Sequence, residues 1–220
     1  MPELPEVQTT VDGINRKAKG QTITDVWTDL AIPNPNKQFI GTLKDETFYK
    51  FFRKTVKNAK VVKAERRAKN ILIHLNNGYT ILVHMKMTGH MMYGKYNFDK
   101  KQNKWTPHRE EKNEALKDPY NRFIHVVFSF ENSKHLALSD VRKFAKVTLI
   151  KTDSLYDSVH LKHHGPEPLE ANFSLENFIK RISKKPNSPI KQVLLDPKIV
   201  SGIGNIYADE LLWESGVHPL

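Results

Sequence analysis

Asn70-Ile71-Leu72-Ile73-His74-Leu75-Asn76-Asn77-Gly78-Tyr79-Thr80-Ile81-Leu82-Val83-His84-Met85 is the stretch that decides the fold class. Ile71, Ile73 and Leu75 recur every second residue, the period of a strand with one buried face. Asn76-Asn77-Gly78 supplies turn residues, and Tyr79 to Met85 runs back, so the segment is a β-hairpin. A second hairpin reads from Ile124 to Phe130, through Glu131-Asn132-Ser133-Lys134, and back along His135 to Leu138. Ile23 to Thr28, Val61 to Glu65 and Lys146 to Lys151 are further strands. Several antiparallel strands in one block predict a β-sandwich or barrel.

Outside this block the periodicity changes. Val7, Val11, Ile14 and Ala18 recur at spacings of four and three, which predicts an amphipathic helix from Pro5 to Ala18 closed by Gly20. Ile32 to Asn36 is turn-rich and reads as a surface loop. Residues 93–119 are rich in Lys, Asn and Glu without a sustained apolar period, and read as a solvated excursion from the sheet, peripheral to the chemistry. Beyond residue 155 helices take over. Ser174 caps one with Leu175, Phe178, Ile179 and Ile182 on its apolar face. Pro189 starts a second through Ile190, Val193 and Leu194. A third runs from Ile206 to Trp213 after Gly202-Ile203-Gly204-Asn205, with Gly216 as its stop. The expected architecture is α+β: an antiparallel β-sandwich domain over residues 1–152 with a flanking N-terminal helix, then a helical domain over 153–220.

The chain has 220 residues, with 35 Lys+Arg against 24 Asp+Glu, a formal charge of +11 and a pI near 9.6. That balance favours an acidic partner, nucleic acid first. Cysteine is absent, which excludes disulfides, thiolate nucleophiles and zinc sites built on thiolates. No basic start with an apolar run marks a secretory signal, and no stretch approaches the roughly 18 apolar residues of a membrane span. The expectation is a soluble intracellular protein.

Four groups of residues carry chemistry. Removal of Met1 from Met1-Pro2-Glu3-Leu4-Pro5-Glu6 exposes a proline secondary amine beside two carboxylates. An α-amino group has a pKa of about 7.7 to 8.0 against about 10.4 for lysine, so it is the more available nucleophile for a Schiff base at neutral pH. The same six residues also suit an ordinary helix start. Gly202 to Asn205 presents backbone N–H groups at a helix N-terminus, either an anion site or a plain helix-helix turn. Arg66-Arg67-Ala68-Lys69, with His84 and Lys86, reads as a patch following a DNA backbone or as a solvated face. Arg142 and Phe144 are two apart on extended chain and share a face; with Met87 they suit either a wedge in stacked bases or core packing. His160, His163 and His164 include adjacent positions that rarely converge on one ion, so no metal site is expected.

Taken in order, Met1 to Glu6, Arg67-Ala68-Lys69, His84-Met85-Lys86-Met87-Thr88-Gly89, Asp140-Val141-Arg142-Lys143-Phe144, His163-His164-Gly165-Pro166-Glu167-Pro168-Leu169 and Gly202 to Glu210 resemble the formamidopyrimidine-DNA glycosylases. The resemblance implies a bifunctional glycosylase and AP lyase of base excision repair. It would excise oxidised purines such as formamidopyrimidine and 8-oxoguanine from damaged double-stranded DNA and nick the strand by β,δ-elimination. Pro2 would be the nucleophile and Glu3 the general acid and base, with Glu6 and Glu210 supporting them. Lys69 would serve that catalytic group and, with His84, Lys191 and Asn205, clamp phosphates. Met87, Arg142 and Phe144 would fill the space left by the extruded nucleotide. The resemblance further implies a monomer, in a bacterial cytoplasm at the nucleoid, without a cofactor.

The departures carry expectations too. Relatives continue for some tens of residues past the point matching His218-Pro219, into a four-cysteine zinc finger. This chain stops at Leu220 without cysteine, so zinc is not expected and the helix-two-turn-helix domain reads as truncated. Lys86, Lys143 and Ala145 stand where the family usually has Gly, Arg and Gly. The alternative expectation is a damaged-DNA or abasic-site binder with little or no turnover.

Overall fold

The computed structural model describes residues 2–220. Its first element is α1 (Leu4–Lys17), whose Val7, Val11 and Ile14 are buried at the predicted spacing. Next come β1 (Ile23–Thr28) and α2 (Glu46–Val56). Sequence periodicity did not single out α2, yet Asp45 caps it by accepting the Thr47 and Phe48 N–H groups at 3.0 and 3.3 Å. The hairpin is β3 (Asn70–Leu75) and β4 (Tyr79–His84), preceded by β2 (Val61–Arg67). β5 (His90–Gly94), β6 (Tyr96–Asp99), β7 (Lys104–Pro107) and α3 (Glu114–Lys117) follow. The second hairpin is β8 (Ile124–Phe130) and β9 (His135–Ser139), and β10 (Lys146–Lys151) ends the block.

Two four-stranded antiparallel sheets form, in the orders β1-β8-β9-β5 and β10-β4-β3-β2. Val26, Val126, Phe128 and Leu138 of one sheet meet Ile71, Ile73, Ile81, Val83 and Val147 of the other in a shared core, closed by α1 and by Phe52 and Val56 of α2. This is the expected sandwich with its flanking helix. β3 is buried on both faces, because Leu72 and Leu82 on the outer side are covered by Leu155 and Leu161. Apolar residues at consecutive positions are therefore needed in β3, as they are in any strand with no solvated face.

Residues 93–119 correct the expectation of a structureless excursion. β6 and β7 pair as a separate hairpin, and Tyr96 and Leu116 are buried against Ile124, Val127 and Ala137 on the outer face of the first sheet. Trp27 packs edge-on to Phe98 and Trp105, so the burial is carried by aromatics spaced too irregularly to show a period.

The helical part comprises α4 (Leu175–Ile182), α5 (Ile190–Leu195) and α6 (Asn205–Glu214). Ser174 caps α4 as predicted, accepting the Asn177 N–H at 3.2 Å. Val193, Ile199 and Val200 form its small core, with Phe173, Phe178, Ile182, Ile190 and Ile203 packed against it. Leu175 and Ile179, read as part of the buried face of α4, are exposed instead. No helix of the described residues is long and apolar enough to cross a membrane.

Arg66 and Arg67 join the two parts, which corrects their reading as a DNA-facing patch. Arg66 and Arg67 both reach Glu167, the latter at 2.8 Å, and Arg67 also donates to the Gly165 carbonyl at 2.8 Å. The Glu167 carboxylate, 2% exposed, further accepts the Ala68 N–H at 2.6 Å. Burial works to raise the Glu167 carboxyl, but the Ala68 N–H and the two guanidinium groups outweigh it and hold it below the ordinary value. The result is a buried tie between the end of β2 and the segment leading into the helices.

Candidate nucleic-acid and catalytic site

The start of α1 and the start of α6 meet. Glu3 occupies the N-cap position of α1, and its own N–H donates to Glu6 Oε2 at 2.8 Å. Its carboxylate also accepts the Ile206 N–H at 3.1 Å and the Tyr207 N–H at 3.5 Å, in the first turn of α6. The positive end of that helix thus supports a carboxylate that is 2% exposed. Gly204 is required here, because a Cβ at that position would collide with the Glu3 carboxylate. The glycine turn is therefore an anion site whose occupant is a side chain of the same protein, 203 residues away in sequence. Pro2, half-buried, precedes this carboxylate. Met1, whose removal would free the Pro2 amine, lies outside the described residues.

Beside this junction is a cavity of about 460 Å³ between the second sheet and the helical part. Lys69 and His84 line it, together with Gly202 and Ile203. Burial lowers the Lys69 ammonium pKa, and the negative charge of Glu3 partly offsets this, which marks the two groups as electrostatic neighbours. Burial, with Lys86 and Lys69 adding repulsion, pushes His84 down to about 3. Its Nδ1 accepts the Lys86 N–H at 3.0 Å, so the neutral ring carries hydrogen on Nε2 and is a donor at physiological pH. A neutral donor and an ammonium on one cavity wall suit a phosphate oxygen.

The expected wedge residues lie on two loops that are tied together. Asp140, buried, accepts the Ala145 N–H at 2.7 Å, the Arg142 N–H at 3.2 Å and the Thr88 hydroxyl, joining the loop after β9 to the loop after β4. Lys44 adds a bond to the Lys143 carbonyl at 2.5 Å. Met87 and Phe144 emerge 43% and 49% exposed, with the Arg142 guanidinium 4.5 Å from the Phe144 ring centroid. They are not core residues. Together they line a second cavity of about 460 Å³. Exposed apolar and cationic groups on a tightly held loop are what insertion between bases requires. Asp140 had drawn no individual reading from sequence, since one Asp beside a strand end gives no local pattern.

Other expected residues stand further out. Asn205 is exposed at the first position of α6. Lys191 on α5 is engaged with Asp209 on α6 at 2.5 Å. Glu6 caps α1 from an exposed position, while Glu210 is exposed on α6 and joins no hydrogen bond or ion pair identified among the described residues. Of the three histidines near residue 160, His160 and His164 line the first cavity and His163 is exposed.

Comparison with known proteins identifies relatives along the whole chain. Residues 1–147 match the formamidopyrimidine-DNA glycosylase N-terminal domain, and residues 164–220 match the formamidopyrimidine-DNA glycosylase H2TH domain. The formamidopyrimidine-DNA glycosylases of Pelotomaculum thermopropionicum and Ligilactobacillus salivarius are each 34% identical, over all of this chain and 68% of their own length. Among solved structures, the Lactococcus lactis formamidopyrimidine-DNA glycosylase, non-covalently bound to DNA containing an AP site, superimposes with a TM-score of 0.76 at 25% identity. That match covers 99% of this chain and 71% of that one. The Lactococcus lactis enzyme with N7-benzyl-Fapy-dG DNA gives 0.76 at 26% identity, covering 99% and 69%. The two domain models and the relatives 34% identical over its whole length show that the chain belongs to the formamidopyrimidine-DNA glycosylase family.

Proposed function

We propose that this chain is a DNA glycosylase of base excision repair that removes oxidised purines and then nicks the strand through an AP lyase step. The observation that supports this most is the Glu3 carboxylate, buried beside Pro2 and held by the Ile206 and Tyr207 N–H groups next to Lys69.

In this reading the Pro2 amine, freed of Met1, attacks the sugar C1′ as the bond to the damaged base breaks. The Glu3 carboxylate takes the N–H proton released by the alkylated Pro2 nitrogen and delivers it to the ring oxygen as the C1′–O4′ bond breaks, leaving an iminium between Pro2 nitrogen and C1′, while the displaced base takes its proton from water. The positive nitrogen draws electrons from the sugar, so a C2′ proton is lost and the 3′ phosphate leaves, with the 5′ phosphate following in a second elimination. Lys69 and the neutral His84 hold phosphates around the extruded nucleotide, assisted by Asn205 and by Lys191 once it exchanges its Asp209 partner. Met87, Arg142 and Phe144 occupy the vacated stack and offset the unstacking of the duplex. Glu6 holds the start of α1, and Glu210 supports the site from α6 only indirectly. The reaction draws on these side chains without a cofactor.

The test is incubation of the full chain with duplexes carrying 8-oxoguanine or formamidopyrimidine, with analysis of strand ends. The expected products carry phosphates on both sides of a one-nucleotide gap. Glu3→Gln should abolish them while retaining duplex binding. Binding of damaged duplex without any nick by the wild-type chain would replace this reading with the damaged-DNA binder.

A further inference from the structure

The cavity that holds Lys69 and His84 contains more positive charge than a two-residue clamp requires. Lys86, Lys146, His160 and His164 also line it, and no Asp or Glu does. Register explains the placement. Lys146 on β10 is the cross-strand partner of His84 on β4, which is itself paired with Asn70 on β3, so the three side chains share one face of the sheet. From the other wall His160 approaches until its Nδ1 is 3.3 Å from Lys146 Nζ. An ammonium only donates, so Nδ1 accepts and the His160 Nε2 carries hydrogen.

Placing these groups together out of water costs free energy that a counter-charge offsets. Burial and then Lys86 depress the Lys146 ammonium pKa. Burial and then Lys146 depress His160, and burial and then Arg67 depress His164, with Glu167 acting in the opposite sense. Three ammonium groups, Lys69, Lys86 and Lys146, share the cavity with neutral imidazole donors and no lining carboxylate, a set that suits an anion of more than one charge with several acceptor oxygens. A phosphodiester carries one negative charge. A terminal phosphate monoester carries about 1.5 to 2 at pH 7, on three acceptor oxygens.

We propose that Lys86, Lys146, His160 and His164 form a subsite for a phosphate monoester dianion, filled by the terminal phosphate of a cleaved strand. The subsite adjoins the Lys69 and His84 clamp, and it retains the product of strand cleavage rather than recognising the intact duplex. The phosphate chemistry stands by itself; only the assignment to a cleaved strand rests on the lyase reading above.

Two measurements on the full chain test it. First, histidine Cε1–H resonances are followed by NMR during titration with inorganic phosphate. Saturable shifts of His160 and His164 are expected, and Lys146→Ala should weaken them about tenfold, the loss of one charge-assisted hydrogen bond. Absence of a saturable shift, or an equal response in Lys146→Ala, overturns the subsite. Second, binding is compared for gapped duplexes with phosphate or hydroxyl ends and for a continuous duplex, in the wild type, Lys146→Ala and His160→Gln. The variants should lose about tenfold on phosphate-ended duplex and under twofold on the other two. Equal loss on continuous duplex would assign the site to an internal diester and overturn the monoester claim. Because neither measurement requires turnover, a chain that binds phosphate but never nicks DNA would contradict the proposed function and leave the subsite standing.

Discussion

Replacing Glu167 with Ala tests the packing of the two parts of the molecule against each other. The carboxylate is 2% exposed and serves three donors: the Ala68 N–H at 2.6 Å, Arg67 at 2.8 Å, and Arg66. The arginine side chains are themselves only 14% and 18% exposed, so truncation leaves two poorly hydrated cations and one orphaned N–H. Breaking a buried pair by removing one partner costs about 3 to 5 kcal/mol, and with a urea m-value of about 2 to 3 kcal/mol/M the midpoint should fall by roughly 1 to 2.5 M. Equilibrium urea unfolding, followed by circular dichroism, reads this directly. Since the folded carboxyl lies below its ordinary 4.5, its contribution is present above that pH and is lost as pH falls through the folded value. The wild-type advantage over Glu167→Ala should accordingly shrink in acid. A midpoint shift below about 0.3 M at pH 7, where surface substitutions fall, would show that the two arginines find other partners and that the tie is not structural.

Three further outcomes follow from the site. Gly204→Ala places a methyl group on the Glu3 carboxylate, and a displacement of about 1 Å at a catalytic group costs about 100-fold in rate, so single-turnover nicking should fall by that order while the melting temperature changes little. His84 has a folded pKa of about 3 against an ordinary 6.5, so the unfolded chain binds more protons between those values. Stability should therefore drop by about 2 kcal/mol from pH 6.5 to 5 through this residue alone, and His84→Gln should remove that share of the slope in pH-dependent unfolding. Lys86 sits at φ +58°, in the left-handed region that costs a side-chain-bearing residue about 1 kcal/mol. Lys86→Gly should thus raise the unfolding midpoint while weakening phosphate binding, a split that a purely structural lysine would not produce.

Much of the sandwich was legible because its strands obey period two and its turns carry Asn and Gly, as at Asn76-Asn77-Gly78. α2 was not, although Phe48, Phe52 and Val56 stand four apart behind an Asp45 cap; its charged face dilutes the pattern. The β6–β7 hairpin was hidden by a run of Lys and Asn, and its burial rests on Trp27 and Trp105, which meet only in three dimensions. Candidate site residues were legible through ordered short stretches rather than through chemistry, since no local pattern reveals that Glu3 will reach α6. Arg66 and Arg67 were misread for the complementary reason: a basic run looks the same whether its partner is DNA or a buried Glu 100 residues away. Lys146, His160 and His164 come together through strand register and loop packing, which sequence spacing does not express.

The most direct test of the central claim is borohydride trapping of the full chain, with Met1 removed, on duplex containing an abasic site or an oxidised purine, followed by mass spectrometry of the adduct. The account predicts one covalent protein-DNA species linked through the Pro2 nitrogen, absent when Met1 is retained and lost in Pro2→Gly. An adduct on Lys69 or another lysine, or none at all from correctly processed protein, would contradict it.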